Sequence, residues 1–176
     1  MMNMEKFKLI SLRGRVAYGV SCFENALLAL KYNLNDWKIV LNYLWGFTNS
    51  NLEESHTIAN ELIPEHLLEF KTYEKHEFER LSKEEFLYLY NLYQDMDESI
   101  NSLLYGIHEL GASHAYSVVS GYGESSLKSL ERLINLMIDN NYPLPNVEQF
   151  LIFSIDENKG WGNEFDGTKL SKLNPN

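Results

Sequence analysis

The sequence predicts an all-α fold: a single-domain helical bundle of about six to seven helices, spanning residues 1–176, with an irregular C-terminal tail. Three observations carry this. Apolar residues recur at spacings of three and four through most of the chain. At most one segment reads as a strand, and a lone strand cannot form a sheet. Cap and turn signals follow one another closely, with no linker long enough to separate two domains.

Residues 1–13 read as an N-terminal arm. Val16, Val20, Phe23, Leu27 and Leu30 then form one stripe, which predicts a helix over about 15–32, ended by Asn33 and Asn35. Asn35 suits an N-cap, with Asp36 in the first turn. Trp37, Val40, Leu41, Leu44 and Trp45 line the next helix, which Gly46 can stop. A polar loop at 47–51 leads to a shorter helix over about 52–62. Pro64 fits the first turn of another, running through His66, Leu67 and Phe70. Lys71 to Arg80 is highly charged and weakly periodic, which predicts a loop or loose helix.

Ser82-Lys83-Glu84-Glu85 is a capping box, with Leu81 and Phe86 at the staple positions. That helix continues through Leu89, Tyr90 and Tyr93. The phase resets around Asp95. Met96, Ile100, Leu103, Leu104 and Ile107 line the following helix, which Gly111 ends or bends. Ala112 to Ser120 reads as a short helix before the turn at Tyr122-Gly123. Ser125 or Ser126 can cap the last long helix, striped by Leu127, Leu130, Leu133, Ile134, Met137 and Ile138 and ended by Asn140-Asn141-Tyr142-Pro143. In the tail, 143–176, Phe150, Ile152, Phe153 and Ile155 suit a short strand or short helix packed on the body.

The charge balance restricts the partners. The net charge is −10, which disfavours nucleic acid and anionic membranes and favours a basic partner. Between Glu53 and Glu109 stand 14 acids and only 4 bases, an excess equal to the whole net charge. A solvated acidic surface explains this. So does a negative face that steers a basic protein into contact, with Glu53, Glu54, Asp95, Asp97 and Glu98 as candidate partner-binding residues. The single cysteine, Cys22, allows no internal disulfide and fits a small core residue in a reducing compartment. The first residues lack a signal-type apolar run, and no segment approaches the roughly 18 apolar residues of a membrane span. A cytoplasmic location is expected.

No set of residues stands out for chemistry, so no catalytic, cofactor or metal residues are assigned. Glu53-Glu54-Ser55-His56 contains one Glu-x-x-His. A di-iron bundle needs two such motifs and two further glutamates. Lys75-His76-Glu77 lacks the second histidine of a zinc protease helix. His66, His108 and His114 are scattered. Gly-x-Ser-x-Gly is absent. Gly121-Tyr122-Gly123-Glu124 precedes a helix, but it follows no strand and carries an acid where phosphate would sit. Trp161 stands between two glycines. Its indole either plugs the edge of the core or serves as an exposed aromatic anchor at an interface.

The C-terminal third carries a resemblance. The residues concerned are Ala115-Tyr116-Ser117, Gly121 to Leu127, Asn140-Asn141-Tyr142-Pro143-Leu144-Pro145, Phe150 to Ile155, and Gly160-Trp161-Gly162-Asn163-Glu164-Phe165-Asp166-Gly167. This stretch resembles the tail of small bacterial immunity proteins from polymorphic toxin and contact-dependent inhibition systems. The resemblance implies stoichiometric binding to a cognate toxin, cytoplasmic action and no catalysis. Gly160, Trp161 and Gly162 match the shared pattern and are taken as structural. A basic nuclease domain is one candidate toxin, because a nuclease must hold phosphates. Two readings stay open beside it: a helical adaptor or regulatory module with another protein partner, and an unrecognised enzyme.

Overall fold

A computed structural model of the chain describes residues 4–50, 60–115 and 117–173. Ser11 starts the first helix, accepting the Gly14 amide at 3.3 Å. This helix, α1, spans Leu12–Ala29. It begins earlier than the stripe predicts, so the end of the expected arm is helical, and Phe7 and Ile10 before it are fully buried. Its end is a Schellman motif: Lys31 adopts φ +64°, and the Tyr32 amide reaches the Leu27 carbonyl at 2.9 Å. The sequence suggests an amphipathic helix, yet every residue from Leu12 to Leu27 is buried. α1 is the axis around which the rest is wound.

Asn33, not Asn35, makes the next cap. Its side chain accepts the Asn35 amide at 3.0 Å and opens a 3₁₀ turn, Leu34–Trp37, that runs into α2, Lys38–Gly46. The helix expected over about 52–62 lies mostly outside the described residues, of which 60–62 are helical. Pro64 heads α3, Pro64–Glu69, and residues beyond Phe70 are irregular apart from a 3₁₀ turn at Tyr73–Lys75. The Ser82–Glu85 capping box forms in both directions at the head of α4, Lys83–Gln94, and Leu81 and Phe86 are buried. Asp97 caps α5, Glu98–Ala112. The last helix, α6, spans Glu124–Asp139. Its end is a second Schellman motif, with Asn141 at φ +57° and the Tyr142 amide on the Met137 carbonyl at 2.8 Å.

α1, α5 and α6 pack on one another, α3 packs on α4, and α2 packs on α1. The tail wraps this body as short 3₁₀ turns. Val147–Phe150 lies on α1 and Gly167–Leu170 on α2. The expected strand or helix at 150–155 is neither. Among the described residues the only β contact is an isolated antiparallel bridge, Ile10 to Ser154. Tyr18 on α1 joins arm and tail, edge-on to Phe7 at 4.8 Å and to Phe150 at 5.2 Å.

Three further expectations are corrected. Residues 117–120 are not helical, because Val119 is buried against the tail, beside Gly160. Neither Ser125 nor Ser126 caps α6; Gly123 does, in the left-handed region at φ +64°. Ser126 is buried one turn in. Ile138 is exposed, since it falls at the edge of the α6 stripe.

Candidate interaction surface

The fold buries several polar side chains, the kind of group that chemistry would need. Arg15 on α1 is fully buried. Its Nε donates to the Phe7 carbonyl at 3.1 Å, Nη1 to the Gly123 carbonyl at 3.0 Å and the Ser126 hydroxyl at 2.6 Å, and Nη2 to the Tyr122 carbonyl at 2.6 Å. Burial lowers its pKa to about 10, so it stays charged at neutral pH. Arg13 Nη1 donates to the Phe47 and Ser50 carbonyls at 2.8 and 2.9 Å, with Glu164 at 3.8 Å from Nη2. Glu24 accepts the Trp45 indole N–H at 2.9 Å, the Ser171 hydroxyl at 2.5 Å and the Lys172 amide at 2.8 Å. Each of these groups ties a distant loop or the tail to α1. Cys22 is buried, and burial pushes its thiol well above the ordinary range, which suits a core residue and opposes thiolate reactivity.

Four titratable groups, Glu61, His66, Glu69 and His76, line a cleft of about 400 Å³ beside α3, with Phe70 and Phe78 on its walls. Its buried carboxylate is already engaged. Glu61 accepts the amides of Glu79, Arg80 and Leu81 at 2.5, 3.1 and 2.9 Å, closing the charged loop that the sequence leaves unordered. His66 Nδ1 lies 3.0 Å from the Asn60 carbonyl, and His76 stacks on Phe70 at 4.4 Å. Among the described residues no three histidine, cysteine or carboxylate side chains converge on a possible metal position.

The expected partner-binding acids divide. Glu53 and Glu54, with the Glu-x-x-His motif that begins at Glu53, lie outside the described residues. Asp95, Asp97 and Glu98 form the exposed corner between α4 and α5. Asp97 also has structural work there. Its Oδ1 accepts the Ser99 amide at 2.9 Å and the Ser99 hydroxyl at 2.5 Å, and these bonds hold its carboxyl below the usual range. From Glu84 to Ala112, through α4, the corner and α5, the chain has six acids and no lysine or arginine.

A second surface was not legible in the sequence. The four most exposed large apolar side chains among the described residues are Val118 (76%), Ile152 (72%), Leu9 (54%) and Tyr122 (53%). They come from three separate segments, which the backbone joins at one end of the bundle. The Ile155 amide donates to the Leu9 carbonyl at 2.9 Å, and the Ser11 amide to the Phe153 carbonyl at 2.8 Å. Lys8 Nζ lies 5.7 Å from the centre of the Tyr122 ring. Arg15 holds the carbonyls of Tyr122 and Gly123 from below. The only local signal is the Val118-Val119 pair in a run of serines and glycines.

Gly160-Trp161-Gly162 braces this end. Gly160 and Gly162 adopt φ +89° and +83°. A Cβ on Gly162 would stand 2.3 Å from Ser11 Oγ, and one on Gly160 would stand 2.6 Å from Val119. Trp161 is half-buried and meets His114 edge-on at 6.3 Å, while its carbonyl accepts the Arg13 amide at 3.0 Å. The tryptophan therefore pins the tail, and the exposed apolar contact area is supplied by its neighbours.

The two surfaces lie at opposite ends of α5. The acidic corner begins the helix, near the ends of α1 and α6: the Asp97 amide donates to the Tyr32 hydroxyl, and Ser99 meets Tyr142. The apolar end lies where α5 finishes and where α1 and α6 begin. Fifteen helical residues separate them by roughly 20 Å.

The fold and these surfaces define an all-α protein wound on one buried helix, with an acidic flank and an exposed apolar end. Comparison with protein-family models, curated proteins and solved structures gives no match. Among the described residues no helix is long and apolar enough to cross a membrane.

Proposed function

We propose that this chain is an immunity protein that binds a cognate toxin stoichiometrically in the cytoplasm and neutralises it. The observation that carries this reading is the apolar end. Val118 and Ile152 are about three-quarters exposed on a side of the molecule otherwise held rigidly by Arg15, Trp161 and the two flanking glycines. Large apolar side chains exposed on segments that the fold joins at one end suit a protein contact. The segments that resemble immunity-protein tails supply the Tyr122 loop and the Ile152 turn, so the resemblance and the exposed surface coincide. The acidic flank adds long-range attraction for a basic partner, such as a nuclease domain.

The test is co-expression with the toxin domain of any large secreted protein found encoded beside this chain's gene. Survival of the host is expected. Death at the rate seen without this chain, for every such domain tried, defeats the reading. A helical adaptor would use the same apolar end but give no protection.

A further inference from the structure

We infer that the shallow cleft between α3 and α5 receives an arginine side chain of the basic partner; this rests on the reading that the partner is a basic protein. The cleft, about 260 Å³, is lined by Ile63, Glu65, Asn101, Ser102 and Tyr105. Tyr105 stands midway along α5 and is 47% exposed. Glu98, Ser102, Tyr105 and Glu109 fall on one outward stripe of that helix. The cleft thus lies on the flank joining the acidic corner to the apolar end.

Its chemistry matches one side chain closely. Buried Ile63 gives an apolar floor for methylene groups. The Tyr105 ring offers a π face, on which a guanidinium stacks better than an ammonium. Glu65 supplies a carboxylate for the planar fork, and Asn101 and Ser102 supply neutral acceptor oxygens. The charge is complementary: Glu65 lines the cleft, and α4, the corner and α5 carry six acids and no lysine or arginine between Glu84 and Ala112, of which Glu109 is paired with Arg132 on α6. A neutral side chain would gain only the apolar floor and neutral hydrogen bonds, and an acidic one would be repelled by Glu65.

The experiment titrates isotope-labelled full chain with N-acetyl-arginine methylamide, and in parallel with the lysine and citrulline analogues, following backbone amide shifts. Saturable shifts confined to Ile63, Glu65, Asn101, Ser102 and Tyr105 are expected, with a dissociation constant on the order of millimolar for so small a fragment. Lysine should bind roughly threefold or more weakly and citrulline not measurably. Tyr105→Leu and Glu65→Gln, both on exposed side chains, should each remove saturation with an unchanged melting temperature. Shifts that rise without saturating, spread to Glu74 and Glu77, or match those from lysine overturn the inference. If the cleft fails while co-expression still protects, the immunity reading stands. If arginine binds but no toxin is neutralised, that reading falls and the cleft stands.

Discussion

Arg15 and Ser126 are 111 residues apart in the chain and 2.6 Å apart in the fold. The guanidinium enters the first turn of α6 and also holds the Tyr122, Gly123 and Phe7 carbonyls. One side chain thus fixes the arm, the 117–123 loop and a helix start. Arg15→Leu should leave these buried acceptors without donors and lower stability by about 3 kcal/mol or more in urea unfolding. Arg15→Lys should recover only part of this, because an ammonium cannot reproduce the planar fork.

Glu24 anchors the other end of the tail through Trp45, Ser171 and Lys172. Glu24→Gln keeps the shape but turns one acceptor into a donor facing donors. Its expected cost is about 1–3 kcal/mol. Limited proteolysis should cut near Ser171 faster than in the parent chain.

His114 is buried beside Arg15, Ser126 and Trp161. Burial first, and then the Arg15 cation, hold its pKa below the ordinary 6.5. The unfolded chain therefore takes up a proton before the folded one does. Stability is fully present above pH 6.5 and falls as the pH drops from there through the lowered folded value. Equilibrium unfolding at a series of pH values should show this decline, and His114→Gln should flatten it. Loss through Asp97 and Asp166, whose carboxyls are held below 3.8 by hydrogen bonds from Ser99 and Thr168, belongs to more acidic solution.

Two glycines give opposite predictions. Gly162→Ala meets both a left-handed backbone and a Cβ position 2.3 Å from Ser11 Oγ, and should cost about 2–4 kcal/mol. Gly46 closes α2 with nothing within 4 Å of a Cβ. Gly46→Ala should raise stability by up to about 1 kcal/mol. Thermal unfolding of the two variants side by side checks both signs.

What the sequence discloses and what it conceals divide along a physical line. The Ser82–Glu85 capping box, the first-turn Pro64 and the ends of α2 and α6 are local, made by residues within a turn of one another, and they read directly. The failures are tertiary. Ser126 looks like a cap until Arg15 draws it inside. Val118-Val119 looks helical until Gly160 leaves room for Val119 to pack on the tail. α1 looks amphipathic because its stripe is apolar, but the tail covers its polar side and its charges find backbone partners. The apolar end is hidden for the same reason, since the segments that carry Leu9, Tyr122 and Ile152 meet only after folding. Asp95, Asp97 and Glu98 are exposed, as their charge alone suggests, but that Asp97 caps a helix shows only in the fold.

The central claim is that the apolar end is a protein-binding surface. Calorimetric titration of a toxin domain against which the chain protects, into the parent chain and into Val118→Asp/Ile152→Asp, tests it most directly. Both side chains are solvent-facing, so the variant should melt within a degree or two of the parent. The account predicts one-to-one binding by the parent and affinity at least a hundredfold weaker in the variant. Equal affinity in the two proteins, with the fold intact, contradicts it.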